Sequence, residues 1–417
     1  MVRLGRYRVL VLLLIINIFN YIDRNALSGV SPLLKTAFGL SDVTIGALGS
    51  AFLLTYTLVA VPFGVWSDYW KPQKVAAIGV LVWSIACVAT ASATGQSQLF
   101  VWRSLVGVGE AAYVATAGTL ISQRFDPDQR SKMLGVFNLG LPLGAALGVL
   151  LGGILGQAYG WQFVFIVVGL PGIILAAMTW LIRDDKGAAT TGATAGAEAP
   201  GVEAGRLMVN GKKPRLRMSL LRFLGLPYWL VVAGYIGISY CFGAVINWLP
   251  MYMTRIWGYS LSEAATLSGA IIVVAGLLGA PAGGWIGDRW FKRGQSGRGY
   301  TLSLACMASA AFMWLGVGLR SPWWFGVSAF FMLWHVGVAA AMVFDTTPKF
   351  VWNSATALAM LFMHLLGDVP SSTITGVISD RYGLVTAFNL LPFAILMGGI
   401  AFGLSGYWQG MQRESGE

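Results

Sequence analysis

GVWSD, residues 64–68, returns 220 positions later as GWIGD, residues 284–288. A second pair keeps nearly the same distance. Tyr159-Gly160 in GQAYGWQF (156–163) matches Tyr382-Gly383 in SDRYGLVTAF (379–388), 223 positions on. Two matches at nearly one offset, each in the same slot of a run of six apolar segments, indicate two copies of one unit in parallel.

Outward from these anchors the chain is apolar. Of its 417 residues 56% are hydrophobic and 11% charged, against about 25% charged in soluble domains. A soluble protein of this length would expose large apolar faces to water. Lipid suits it better, and the 54 glycines agree, because membrane helices are rich in Gly. Segments of about 20 apolar residues that can span a bilayer fall near 8–34, 43–67, 75–95, 98–123, 132–156 and 161–182, then near 227–253, 262–287, 299–319, 322–347, 352–378 and 384–409. Pro62, Pro142, Pro171, Pro250 and Pro281 interrupt them, and membrane bundles can satisfy the carbonyls a proline frees. The first apolar run carries Asn17, Asn20, Asp23 and Arg24 and lacks a small-residue cleavage site, so it reads as a retained span and not as a signal peptide.

Basic residues orient the spans. With the N-terminus inside, 22 of the 28 Lys and Arg fall on inner segments and four on outer ones (Lys35, Arg255, Arg320 and Arg381), while Arg24 and Arg103 lie within spans. This asymmetry obeys the positive-inside rule. It accounts for the net charge of +11 without a nucleic-acid partner. Residues 187–205, GAATTGATAGAEAPGVEAG, form a low-complexity linker. The basic run KKPRLR (212–217) and MSLLRFLGL (218–226) follow. The latter reads equally as a short interfacial helix or as part of a solvated basic linker held inside by charge. The expected organisation is a six-helix bundle over 1–182, an inner linker over 183–226 and a second six-helix bundle over 227–417, with both termini cytoplasmic.

Several motifs resemble those of major facilitators. Gly64 to Asp68 followed by Lys71 and Lys74 resembles their loop signature between helices 2 and 3, although Tyr69 stands where a basic residue is usual. Gly284, Asp288, Arg289 and Arg293 resemble its second copy. RSLVGVGEA (103–111) and GLPLGAALGVLLGG (140–153) resemble the helix 4 and helix 5 signatures. NYIDRNALSGV (20–30), RSLVGVGEAAY (103–113) and RSKMLGVFNLGLPLGAALG (130–148) resemble the spinster family of lysolipid and sphingosine-1-phosphate transporters, which has bacterial members. The C-terminal half matches by layout and by NWLPMYM at 247–253. An acidic residue before Arg in helix 1 also occurs in sugar-acid symporters, but the Gly-Glu-Ala-Ala-Tyr run favours spinster. The resemblance implies an all-α membrane fold of twelve helices in two six-helix bundles, working by alternating access in a cell membrane, the inner membrane of a bacterium. It also implies gating roles for Asp68, Arg130, Asp288 and Arg289.

Charges inside spans are costly and point to function. The first half has four: Asp23 and Arg24 on helix 1, Arg103 and Glu110 on helix 4. Arg103, Gly107 and Glu110 are spaced i, i+4, i+7 and share a face, with about 10 Å of rise between the charges. Asn17, Asn20 and Arg24 make a polar stripe on helix 1, with Asp23 one step round. A proton on Asp23 or Glu110 would release an Arg to take an anionic head group through paired hydrogen bonds. The bland alternative is a pair of ion pairs that only fix helix packing. Buried ion pairs are a poor route to stability, which favours the functional reading. Asp23 and Glu110 are the expected proton sites, as the spinster resemblance also implies. Arg24, Arg103, Asn20, Tyr113 and Asn247 are the expected substrate contacts.

In the second half His335 and Asp345 fall on helix 10, and His364 and Asp368 on helix 11. His364 and Asp368 lie at i, i+4 and read either as a proton relay or as a satisfied hydrogen-bonded pair. Cys87, Cys241 and Cys306 are dispersed in apolar runs and are expected to be small core residues. With two His and no G-x-x-x-x-G-K-[ST], neither a metal hydrolase nor direct ATP drive is expected. The reading is therefore a proton-coupled transporter of an amphipathic anion, such as a lysophospholipid or sphingoid phosphate, and not an enzyme. A symporter of a small organic or sugar acid is the runner-up, and a membrane sensor or embedded enzyme a distant third. The expected partners are protons, a lipid or small-molecule substrate and membrane lipids. No cofactor or metal is expected, and the chain is expected to be a monomer.

Overall fold

A computed structural model describes residues 5–182, 224–348 and 351–414; the linker segments at 187–205 and 212–217, and most of 218–226, lie outside the described residues. Among the described residues there is no strand, and twelve helices are long and apolar enough to cross a membrane. In chain order they are α1 (Arg6–Phe38), α2 (Asp42–Tyr69), α3 (Pro72–Thr90), α4 (Gln96–Ser122), α5 (Met133–Tyr159), α6 (Trp161–Trp180), α7 (Leu226–Trp257), α8 (Leu261–Phe291), α9 (Gly297–Leu319), α10 (Pro322–Asp345), α11 (Ala355–Tyr382) and α12 (Leu384–Glu414). The all-α fold with twelve spans agrees with the hydropathy reading, and Cys87, Cys241 and Cys306 are free and buried.

By contact the described chain divides into two compact units, one of residues 5–40, 51–182 and 261–266, the other of 41–50, 224–260 and 267–414. In the first, small residues let α1 and α5 meet at backbone distance. A Cβ built on Gly144, Gly148 or Gly152 would lie 2.4, 2.5 or 2.7 Å from the carbonyl oxygens of Ile18, Ile22 and Ala26. These glycines recur every four residues, so they form one stripe along α5. In the second, α12 meets α7 and α9 in the same way. A Cβ on Gly237 would lie 2.6 Å from Ala394 O, and one on Gly299 2.6 Å from Phe402 O.

The Tyr-Gly repeat has a local cause. Gly160 ends α5 at φ 87°, and Gly383 ends α11 at φ 86°. Both turns need the left-handed backbone that glycine adopts without steric cost.

Three spans are less regular than their hydropathy suggests. A helix over Pro127–Asn138 is followed by one over Gly140–Tyr159, and the break lies where Pro142 has no N–H to offer the Asn138 carbonyl. In α10, Val336 (ψ 114°) and Gly337 (φ 90°) leave the helix, and the His335 ring Nδ1–H donates to the Met332 carbonyl at 2.8 Å. That bond satisfies a carbonyl that the kink frees. In α11, residues Met363–Asp368 form a π-helical turn, an irregularity that recurs at functional sites.

Candidate functional site

The stripe of glycines on α5 commits the Ile18, Ile22 and Ala26 face of α1. Asn20, Asp23 and Arg24 lie one to two steps round the helix from it, and their charges meet α4. Arg24 donates to Glu110 Oε2 through Nη2 at 3.0 Å and Nε at 3.3 Å. Arg103 Nη1 donates to Asp23 Oδ1 at 3.3 Å. The pairs thus cross between helices, each carboxylate taking the other helix's guanidinium.

Burial separates the four charges. Asp23 and Arg103 are 1% exposed and Glu110 0%, whereas the Arg24 side chain is 21% exposed. Arg24 is the group of the four that a solute can reach. Hydrogen bonding is incomplete as well. Asp23 Oδ2, Glu110 Oε1, Arg103 Nε and both polar side-chain atoms of the fully buried Asn20 have no hydrogen-bond partner among the described residues. Unpaired polar atoms in a low-dielectric core cost on the order of 1–3 kcal/mol each, so the arrangement is a poor stabiliser.

Aromatic rings surround Arg24. Its guanidinium carbon lies 5.0, 5.0 and 4.9 Å from the ring centroids of Tyr21, Phe52 and Tyr56. Phe52 also lies 5.2 Å from the Arg103 guanidinium. Its position follows from Gly107, where a Cβ would lie 2.5 Å from Phe52 O and 2.5 Å from Thr55 Oγ1. Gly107→Ala is therefore expected to push α2 off α4 and destabilise the protein by about 1–3 kcal/mol, as overpacking does. A lowered melting temperature measures the effect, and an unchanged one would contradict this packing role.

Other residues of this unit singled out in the sequence are held by backbone carbonyls. The Tyr113 hydroxyl donates to Leu13 O at 2.6 Å, and its ring is fully buried. Asn17 Nδ2 donates to Phe137 O at 2.9 Å. Arg130 Nε donates to Phe125 O at 2.9 Å. The side chain of Asp68, at the far end of α2, lies outside the described part.

In the second unit, Asn247 Nδ2 donates to Gly243 O and to Ser372 Oγ, each at 2.8 Å. The His364 Nδ1–H meets Asp368 Oδ2 at 2.6 Å on the π-helical turn, with both side chains partly exposed. Asp288 does pair, but with Arg298, whose Nη2 lies 2.6 Å from it, and Arg298 Nη1 reaches Asp345 at 2.8 Å. Arg289 instead lies over the Trp285 ring at 5.7 Å. Arg255 grips both oxygens of the buried Asp42 at 2.7 and 2.8 Å. Ser379 Oγ donates to Asp42, and Asp380 accepts from the Asp42 and Val43 backbone N–H groups at 2.9 and 2.8 Å. Sequence reasoning missed Arg255, Asp42, Arg298 and Asp345 as partners. Arg255 and Arg298 sit at span ends, where a basic residue reads as a topology signal, and no spacing rule links them to acids so far along the chain.

Comparisons with known proteins address the family and the fold. The model of the Major Facilitator Superfamily matches residues 13–369. Protein spinster homolog 1 of Xenopus laevis is 27% identical over 399 residues, covering 89% of this chain and 73% of the relative. The hexuronate transporter of Bacillus subtilis is 26% identical over 397 residues, covering 92% and 90%. The crystal structure of a bacterial homologue of the human lysosomal transporter spinster, inward-facing and unoccupied, matches with TM-score 0.80 at 20% identity, covering 98% of each chain. That of a D-xylose-proton symporter matches with TM-score 0.69 at 15% identity, covering 96% of each. At these identities the two structures speak to the fold alone. Matched over most of its length, the chain belongs to the Major Facilitator Superfamily, as a multi-pass membrane transporter that resembles the spinster proteins.

Proposed function

We propose that this protein is a proton-coupled secondary transporter of an amphipathic anion, with Asp23 and Glu110 as proton sites and Arg24 as the group that meets the substrate. The observation that carries the reading is the crossed pair of ion pairs, buried and incompletely hydrogen-bonded, with Arg24 open to solvent. A proton on Glu110 releases Arg24 to form paired hydrogen bonds with a phosphate or carboxylate. Arg103 lies behind it and holds Asp23, which tunes the site and does not touch the ligand in this conformation. Asn20 and Tyr113 line the same core. The His364–Asp368 pair of the second unit is a further place for a proton, and Asn247 a further ligand contact.

The two bundles, 1–182 and 227–417, would alternate access as a monomer in a bacterial cell membrane, with both termini and the linker cytoplasmic. Asp68, Arg130, Asp288 and Arg289 would sit at the inner gate. In that orientation a cysteine introduced at Gly95 should label with an impermeant reagent added to intact cells, and one at Gly211 should not. The reverse pattern would overturn the topology.

A sugar acid is the second reading, favoured by the similarity to the hexuronate transporter. A thermal-shift comparison separates the two, because a ligand that binds the folded state raises its melting temperature. Stabilisation by lysophospholipids and not by glucuronate supports the first reading; the opposite result supports the second.

A further inference from the structure

Two hydrogen bonds fix the register of α1 against α4. Arg103 Nη1 donates to Asp23 Oδ1 at 3.3 Å, and the Tyr113 hydroxyl donates to Leu13 O at 2.6 Å. Leu13 stands ten residues before Asp23 and Tyr113 ten residues after Arg103, so the two helices run antiparallel in equal steps. Asn20, about 4.5 Å along α1 from Asp23, then lies level with Val106, between Arg103 and Glu110. At about 100° per residue it also points between Asp23 and Arg24, about 60° from the first and 40° from the second, and both of those meet α4. Its amide therefore faces the stretch of seam that separates the two carboxyls. Asn20 is 0% exposed, and neither of its polar side-chain atoms has a hydrogen-bond partner among the described residues. The same holds for Asp23 Oδ2, Arg103 Nε and Glu110 Oε1, which stand to either side of it. Three acceptors and two donors thus line one buried seam, and buried polar atoms of this kind are the ones that internal water binds.

We propose that Asn20 is a positioning residue that holds a short chain of water between Glu110 and Asp23, and that one proton passes along it from the first carboxyl to the second. The inference rests on the reading that these two carboxyls take protons. The amide supplies an N–H and a C=O that orient water and has no proton of its own to give near neutral pH. Glu110 is the entrance, because its partner Arg24 is the charge with solvent access, while Asp23 lies behind with Arg103. In the transfer the Glu110 Oε1–H bond breaks and its proton joins the first water. Each water hands one proton on, and the last forms an O–H bond with Asp23 Oδ2. Glu110 is left a carboxylate and Asp23 an acid. Glu110 can then take Arg24 back, so the proton whose arrival freed the guanidinium restores its pairing as it moves inward. The other titratable groups facing this seam are Tyr21, Tyr56 of α2, the Cys87 thiol of α3 and Tyr113. Phenols and thiols are already protonated below about pH 8, so they do not compete. From α5 and α6 no charged residue comes, since none occurs between Met133 and Trp180.

The test is time-resolved infrared spectroscopy of the purified full chain after a drop in pH. The C=O bands of the protonated carboxyls are assigned by their loss in Asp23→Asn and in Glu110→Gln. In the parent both bands should rise. In Asn20→Leu, which keeps the size of the side chain without its polar atoms, the Glu110 band should rise as in the parent. The Asp23 band should rise at least about 100-fold more slowly, the lower end of what a positioned proton-transfer partner contributes. Asn20→Ser keeps a donor and an acceptor and leaves room for water, and should keep the parent's rate. An Asp23 band that rises in Asn20→Leu as it does in the parent would overturn the relay and leave the two proton sites standing. Asn20→Ser as slow as Asn20→Leu would also overturn it, since packing and not held water would then set the rate. If either band is missing from the parent, the proton-site reading fails and the relay with it. Asn20→Val serves the same purpose if Asn20→Leu does not fold.

Discussion

Arg103→Ala should lower stability by about 3–5 kcal/mol, the cost of stranding one member of a buried ion pair. Asp23 is 1% exposed, and its Oδ2 already lacks a partner among the described residues. Removal of Arg103 takes away the hydrogen bond to Oδ1 at 3.3 Å as well. The guanidinium also faces the Phe52 ring at 5.2 Å, so packing is lost with charge. Adding Asp23→Asn should recover a large part of the loss, because the amide needs no countercharge. Thermal unfolding of the two single variants and the double measures this coupling. If the double variant is as unstable as the sum of the singles, the pair is not coupled and the account of its burial is wrong.

Arg24→Ala should act differently, on binding. This side chain is 21% exposed and is the charge of the four open to a solute. Its loss should weaken anionic ligands by about 2–5 kcal/mol, the range for truncating one partner of a hydrogen-bonded charge pair. That corresponds to about 30-fold or more. Arg24→Lys should restore only part of the affinity, since an ammonium keeps the charge but not the planar fork. Isothermal titration of an anionic lysolipid separates the cases. Equal affinities for parent and Arg24→Ala would remove Arg24 from the site.

Much of this was legible in the sequence, for identifiable reasons. Twelve apolar segments, a charge asymmetry across them and a repeat at 220–223 positions determine an architecture because each reports on lipid or on chain symmetry. The charges of α1 and α4 stood out for a similar reason: ionised groups in apolar spans are rare. Which acid meets which base was not legible. Asp23 neighbours Arg24 in sequence but pairs with Arg103, since the partner depends on how two helices are set against each other. The rings around Arg24 were hidden as well. Among 22 Phe, 14 Tyr and 17 Trp, no spacing marks Tyr21, Phe52 and Tyr56 as a set, and Gly107 is needed to bring α2 into place. The α10 kink at Gly337 was one glycine among 54, and the π turn on α11 leaves no hydropathy signature.

The central claim is that protons act through Asp23 and Glu110. Reconstituted in liposomes with an imposed pH gradient, the parent should accumulate substrate in response to the gradient. Asp23→Asn and Glu110→Gln should each abolish that response while binding survives, because each amide mimics the protonated carboxyl. If both variants follow the gradient like the parent, the four charges are a structural cluster and the proton-site assignment is wrong.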